Sequence, residues 1–243
     1  MRTESTASPR SPSSSQRRRP AQGRAPRGRS GRAGACRQAS HRADRRITTL
    51  TPADAPILLV AATDRELCGH DGLVCGVGPV EAAAATARAL GLRHFAALLH
   101  VGLAGARGIS QGSLVVGTEA VYCDLSAEWP VVDRVAPAAQ LVAGLRAALP
   151  DAHALPIHTS AAVGGARNSS AHAPLVEAME GFGVLRAAAL AGVPAVEVRA
   201  ISNEIGEDDR ARWDIDAGLA ALAHALPTMT GVAREVLAAP GTP

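Results

Sequence analysis

Three polar side chains, Glu66, Glu180 and Asn203, follow short apolar runs at 57–62, 175–179 and 195–201. Carboxylates accept protons and hydrogen bonds, and an amide donates one hydrogen bond while accepting another. At the carboxyl ends of strands in an open α/β sheet, such groups stand where ligands bind. Residues 182–191 have the composition of a helix, so Glu180 falls where a strand hands over to a helix. If the strand at 195–201 runs parallel to the one at 175–179, Ser202-Asn203 emerges at the same edge. Taken singly, a carboxylate in such a place more often only solvates a loop. Two glycine segments, Gly76-Val77-Gly78 and Gly102-Leu103-Ala104-Gly105, admit a ligand close to the backbone and complete a candidate site. Neither matches the G-x-G-x-x-G dinucleotide fingerprint.

The elements that have to position these groups alternate between strand and helix. Residues 57–62 (ILLVAA) form a continuous apolar run of strand length, as expected in a sheet covered on both faces. Residues 72–77 are a second strand candidate, after which Pro79 opens and Gly91 closes an Ala-rich helix over 80–90. A buried strand follows at 95–101, with 102–105 as a tight glycine turn after it. Further strands are expected at 113–122 and 155–163, a helix at 139–149 and a polar loop at 164–172. The helix at 182–191 stops at Gly192, and 213–237 is helical in pattern, with Pro227 breaking it. The fold class is α/β: a single domain with a mixed, largely parallel central sheet flanked by helices.

Of the 243 residues 47% are hydrophobic, enough for a substantial core, and with aromatics at 2% it has to be filled by Ala, Val and Leu. The net charge of +3 conceals a division. Residues 1–46 hold 13 arginines against Glu4 and Asp44, a balance of +11, which leaves −8 for 47–243. The first segment is rich in Ser, Pro, Gly and Arg without apolar periodicity and reads as a disordered extension; 47–243 reads as the folded domain. A polybasic arm for nucleic acid or anionic lipid is the functional alternative for the extension, but the acidic body disfavours a nucleic-acid partner.

There is neither the apolar stretch of a signal peptide nor a membrane span of about 20 residues. Cys36, Cys68, Cys75 and Cys123 lack C-x-x-C spacing and the eight histidines are scattered. No metal site and no disulfide framework are expected, and a reducing cytoplasm fits.

A family resemblance covers residues 57 to about 237. The ordered motifs A-A-T-D-R-E (61–66), C-G-V-G (75–78), V-G-L-A-G (101–105), Q-G-S-L-V-V-G-T-E-A (111–120), M-E-G (179–181) and R-A-I-S-N (199–203) resemble the nucleoside phosphorylase/nucleosidase superfamily. The continuation Ser202-Asn203-x-x-Gly206-x-x-Asp209-Arg210-x-x-Trp213 is more similar to the futalosine hydrolases than to the methylthioadenosine/S-adenosylhomocysteine nucleosidases.

The resemblance implies hydrolysis of a nucleoside without metal or organic cofactor, in a homo-oligomer. Glu66 matches the carboxylate that positions and deprotonates water, and Glu180 the ribose-binding glutamate. Asn203 stands where methylthioadenosine nucleosidases place an aspartate. An amide there suits the O6 and protonated N7 of a 6-oxopurine such as the hypoxanthine of futalosine. Gly78, Ala104, Gly105, Met179, Ser202, Arg210 and Trp213 complete the implied substrate-binding set.

Several of these residues have plainer readings. Met179 lies against the ribose or packs in the core. Arg210 meets the carboxylate of the benzoate arm of futalosine, or packs on Trp213. Asp208 and Asp209 protonate N7 or cap the following helix. Glu197 and Arg199 share a strand face and are candidates to pair inside the protein. The rival functions are a methylthioadenosine/S-adenosylhomocysteine nucleosidase, a purine nucleoside phosphorylase and a non-catalytic nucleoside sensor. Asn203 and the Trp213 signature disfavour the first, Leu103 in a turn where many relatives carry serine the second, and retention of both glutamates the third.

Overall fold

The computed structural model describes residues 55–125, 127–162 and 175–239; the extension at 1–46, with Cys36, and the loop at 164–172 lie outside the described residues. The strands are β1 (Ile57–Ala61), β2 (Leu73–Val74), β3 (Ala97–Ala106), β4 (Leu114–Tyr122), β5 (Arg134–Val135), β6 (His153–Thr159), β7 (Val176–Ala178) and β8 (Ala195–Glu204). The helices are α1 (Pro79–Leu92), α2 (Ala139–Ala148), α3 (Gly181–Ala191) and α4 (Ile215–Ala238). All described residues belong to one compact unit, Thr48–Pro243.

The apolar runs become strands buried on both faces because helices cover each side. Side chains alternate across a strand, so in β1 Leu59 and Ala61 join a core cluster with Leu141 and Leu145 of α2 and Leu222, Leu226 and Met229 of α4. Leu58 and Val60 point the other way, toward Ala82 of α1 and Val184, Leu185 and Ala188 of α3. Each fully buried leucine here contributes about 1.5–3 kcal/mol relative to an exposed one.

The sheet is mixed and mainly parallel. β1 runs parallel to β2 and β3, β3 to β8, and β6 to both β4 and β7. The two sets meet antiparallel where β3 pairs β7 and β4 pairs β8, and β5 adds an antiparallel edge to β4. Followed strand to strand, β3, β8, β4, β6 and β7 hydrogen-bond in a closed ring. One cluster draws on all five: Ala104 and Ala106 of β3, Val115 of β4, Ile157 of β6, Val176 and Ala178 of β7, and Ile201 of β8.

Four local expectations are corrected. Gly102 to Gly105 is not a turn but the second half of β3, which continues to Ala106; its register with β8 shifts between Ala104 and Gly105, where Ser202 is the extra residue on β8. Glycine is required there by crowding rather than by chain reversal: a Cβ on Gly102 would overlap the Arg199 guanidinium and the Glu66 carboxylate, and one on Gly105 would press on the Asn203 amide. β7 and β8 run in opposite directions, since β3 is antiparallel to one and parallel to the other. Ser202 and Asn203 lie inside β8, not beyond it. Pro227 does not break α4. It is exposed, as is Ala223 one turn earlier, so water can satisfy the carbonyl left without a donor, while Leu222, Leu226 and Met229 hold the apolar face in the core.

Candidate active site

A cavity of about 340 Å³ opens where β3, β7 and β8 meet the turn after β1 and the start of α4. Glu66, Glu180 and Asn203 all line it, with Leu103, Ala104, Gly105, Met179, Ser202 and Trp213. Opposed strand directions do not separate the two carboxylates. β7 ends beside the second half of β3, and Glu180 follows it as the residue before α3.

Glu66 sits in a single helical turn, Asp64–Leu67, that begins at Thr63 and forms a capping box. Its Oε2 accepts from the Thr63 backbone N–H at 2.9 Å and from Thr63 Oγ1 at 2.7 Å, and its Oε1 accepts from the Leu103 N–H at 2.9 Å. The carboxylate is thus oriented by two segments, and at 7% exposure it faces little but the cavity.

Glu180 is 3% exposed and is held from two sides. Its Oε1 accepts from the Gly78 N–H at 3.1 Å, and its Oε2 takes the Arg199 Nη2 at 3.2 Å. Gly78 has φ +97°, which a residue with a Cβ rarely adopts, and this turns its N–H toward the carboxylate at the start of α1.

Arg199 is wholly buried, so its charge has to be met inside the protein. Nε donates to Glu197 Oε1 at 2.7 Å, Nη1 to the Leu103 carbonyl at 3.3 Å, and Nη2 to Glu180 and to His100 Nε2, the latter at 2.5 Å. Burial works against the cation, but Glu197, Glu180 and Glu66 outweigh it and hold its pKa above the ordinary guanidinium value. Burial, reinforced by the Arg199 charge, drives the His100 pKa well below the ordinary imidazole value. The neutral ring bonds through Nδ1 to the Val60 carbonyl at 3.1 Å and presents Nε2 as an acceptor. Burial raises the Glu197 pKa against the pull of Arg199. Among the described residues Glu197 Oε2 has no hydrogen-bond partner, and its carboxylate lies under Gly181 at the start of α3, where the helix dipole favours negative charge.

Asn203 is fixed without being saturated. Oδ1 accepts from Ser202 Oγ at 2.9 Å, and Nδ2 donates to the Glu204 carbonyl at 3.0 Å. One N–H and one lone pair remain for a ligand.

Residues 72–238 match the family model described as the phosphorylase superfamily. The chain is 38% identical over 191 residues to a futalosine hydrolase of Streptomyces coelicolor, covering 68% of this chain and 80% of that one. It is 35% identical over 193 residues to a futalosine hydrolase of Acidothermus cellulolyticus, covering 70% and 78%. The chain belongs to the phosphorylase superfamily, in its futalosine hydrolase family. Among solved structures, an S-adenosylhomocysteine nucleosidase from Streptococcus pyogenes superposes with a TM-score of 0.63 at 22% identity, over 72% of this chain and 95% of that one. A methylthioadenosine/S-adenosylhomocysteine nucleosidase from Helicobacter pylori gives 0.65 at 17% identity, over 73% and 98%. At these identities the likeness establishes the nucleoside phosphorylase-like fold of this family member.

Two residues expected to bind substrate fall outside the cavity lining of this futalosine hydrolase family member. Gly78 reaches the site only through its N–H on Glu180. Arg210 packs its guanidinium 4.8 Å from the centre of the Trp213 ring, and Trp213 Nε1 donates to the Glu207 carbonyl at 3.0 Å. Asp209 accepts from the Ala211 N–H at 3.0 Å, capping the short turn Arg210–Arg212, and neither it nor Asp208 reaches the lining. Glu197 and Arg199 pair as their spacing suggests. Among the lining residues, sequence reasoning missed Thr63, Arg65, Glu177, Ile205, Ile215 and Leu219, whereas Val77 lies in one of the glycine segments assigned to the site. For Thr63 and Arg65 a signal existed, their place in the A-A-T-D-R-E run; the apolar residues carry none that separates them from core. His100, inside an apolar strand, also gave no sign of its contact with Arg199.

Proposed function

We propose that this chain is a cytoplasmic futalosine hydrolase. Water cleaves the N-glycosidic bond of futalosine, releasing hypoxanthine and leaving dehypoxanthine futalosine, as part of menaquinone biosynthesis and without metal or organic cofactor. The reading is carried by the convergence of Glu66, Glu180 and Asn203 on one cavity in a member of the futalosine hydrolase family.

Breaking the bond from ribose C1′ to purine N9 leaves positive charge on the sugar and negative charge on the base, and catalysis requires both to be met as they develop. Glu66 takes a proton from the attacking water as general base. Three of the roughly four lone-pair positions of its carboxylate are occupied by Thr63 and Leu103, which leaves one to accept from the water. Glu180 has two of its own occupied, by Gly78 and Arg199, and offers the rest to the ribose hydroxyls while its charge favours the cationic sugar. Met179 packs on the ribose. The free N–H of Asn203 donates to O6 of the base, and its free lone pair accepts a hydrogen bond from N7–H as the departing base takes a proton there; that proton is supplied by solvent and balanced by the one water gives up to Glu66.

Two wider readings have support of their own. Among the described residues the thiols of Cys68, Cys75 and Cys123 are unpaired, which suits a reducing compartment. Val74, Val77 and Val80 leave 47–75% of their surface exposed, with Val77 in the cavity wall, which supports a homo-oligomer. Among the described residues no helix is long and apolar enough to cross a membrane.

The test is to incubate purified protein with futalosine, its 6-amino analogue, methylthioadenosine and inosine, with and without phosphate, and to identify the products. Free hypoxanthine and free sugar from futalosine are expected. Ribose 1-phosphate derivatives, or turnover that needs phosphate, would move the protein to the phosphorylases.

A further inference from the structure

The lining of the cavity differs sharply in exposure: Glu66 and Glu180 are 7% and 3% exposed, whereas Arg65, the only cation of the described lining, has 66% of its side chain in solvent. The same lining carries an apolar wall of Trp213, Ile215 and Leu219, with Ile215 and Leu219 one turn apart on α4. Trp213 is braced by its bond to Glu207 and by the Arg210 guanidinium, so this wall has a defined shape before any ligand arrives.

We propose that Arg65 determines specificity for a nucleoside whose sugar carries an apolar arm ending in a carboxylate: the arm lies along Trp213, Ile215 and Leu219, and its carboxylate takes the Arg65 guanidinium. The assignment rests on the nucleosidase reading above. It names Arg65 rather than Arg210 as the partner of the anion, because Arg65 lines the cavity and Arg210 does not.

The partner that Arg65 now holds suits the exchange. Its Nη2 lies 3.3 Å from Asp216 Oδ1, and the Asp216 side chain is 93% exposed. Such surface pairs are weak and screened by salt, so a ligand carboxylate displaces Asp216 at little cost. Guanidinium can form two parallel hydrogen bonds to one carboxylate, a geometry that an ammonium or a neutral amide does not reproduce. The backbone that carries Arg65 is held beside the site, since Glu66, the next residue, is fixed on both oxygens by Thr63 and Leu103.

The experiment uses two nucleosides identical except at the end of an aryl arm, one a carboxylate and the other its primary amide, on the intact chain and on Arg65→Gln and Arg65→Lys. Comparing the two substrates on the same variant cancels any general loss of activity. The intact chain is expected to favour the carboxylate by about 10–100-fold in kcat/KM, mostly through KM, as befits a charge-assisted bidentate contact. Arg65→Gln should bring that ratio close to one, Arg65→Lys should keep part of it, and Asp216→Asn should leave it intact or increase it. If Arg65→Gln lowers both substrates equally, Arg65 only balances the charge of the glutamates and the assignment fails. Hydrolysis of both by the intact chain without preference overturns the assignment alone; hydrolysis of neither overturns the nucleosidase reading and the assignment together.

Discussion

Arg199 Nη2 lies 3.2 Å from Glu180 Oε2 and 2.5 Å from His100 Nε2, so the carboxylate assigned to the ribose is held by a cation that a neutral imidazole in turn holds. None of the three has appreciable contact with water. Replacing Arg199 by Gln leaves Glu197 and Glu180 buried without their cation. A loss of about 3–5 kcal/mol in unfolding free energy is expected, the usual cost of removing one partner of a buried pair. Urea denaturation measures it, and a loss below about 1 kcal/mol would mean that the carboxylates find other partners.

Glu66→Gln is expected to lower kcat by about 10²–10⁴, the range for a positioned general base. The amide also brings a donor against either the Leu103 N–H or the Thr63 pair, so about 1–3 kcal/mol of stability should go with it. Steady-state kinetics together with a thermal melt separates the two effects. Near wild-type kcat in a folded variant would remove Glu66 from the mechanism.

Asn203→Asp tests how position 6 of the purine is read. An ionised carboxylate repels O6 but accepts from a 6-amino group, so the ratio of kcat/KM values should shift toward the 6-amino analogue by about 1–3 kcal/mol. The aspartate also loses the bond from Nδ2 to the Glu204 carbonyl, and a melting curve should accompany the kinetics. An unchanged ratio in a folded variant would show that Asn203 does not select the base.

His100 should make stability fall in mild acid. Burial and Arg199 keep the folded ring neutral, whereas the unfolded chain takes up a proton below about pH 6.5. With the folded pKa lowered, the unfolded state binds more protons in that window, so stability is full above pH 6.5 and declines as pH drops. The slope reaches about 1.4 kcal/mol per pH unit for one such group. His100→Gln should reduce the slope between pH 6.5 and 5.5; His158, whose pKa burial also lowers, continues to contribute in both proteins. Equal slopes in denaturation series of the two proteins would count against a proton-excluding His100.

Local signals were legible wherever they sufficed. The run 57–62 became β1, Pro79 stands at the first position of α1, and Gly192 caps α3 in the left-handed conformation. The glycines at 102 and 105 misled because their reason lies nearly a hundred residues away, in Arg199 and Asn203. The opposed directions of β7 and β8 depend on a shared partner, β3, and periodicity within either strand is silent about that. Glu66, Glu180 and Asn203 were visible as polar groups at strand ends. Arg65 shared the A-A-T-D-R-E run with Glu66, but its place in the cavity beside α4 is set by tertiary packing that the run itself does not state.

β7 is only three residues long, yet it closes the ring of strands. Glu177 is paired with Gly105 on one side and with His158 on the other, so β7 cannot slip by one residue without breaking register against both neighbours at once. An open sheet can absorb such an error at its edge; a closed ring cannot. The reach of Glu180 is therefore set by strands far from it in the chain, and insertions or deletions within β7 are barred even where its side chains could be exchanged.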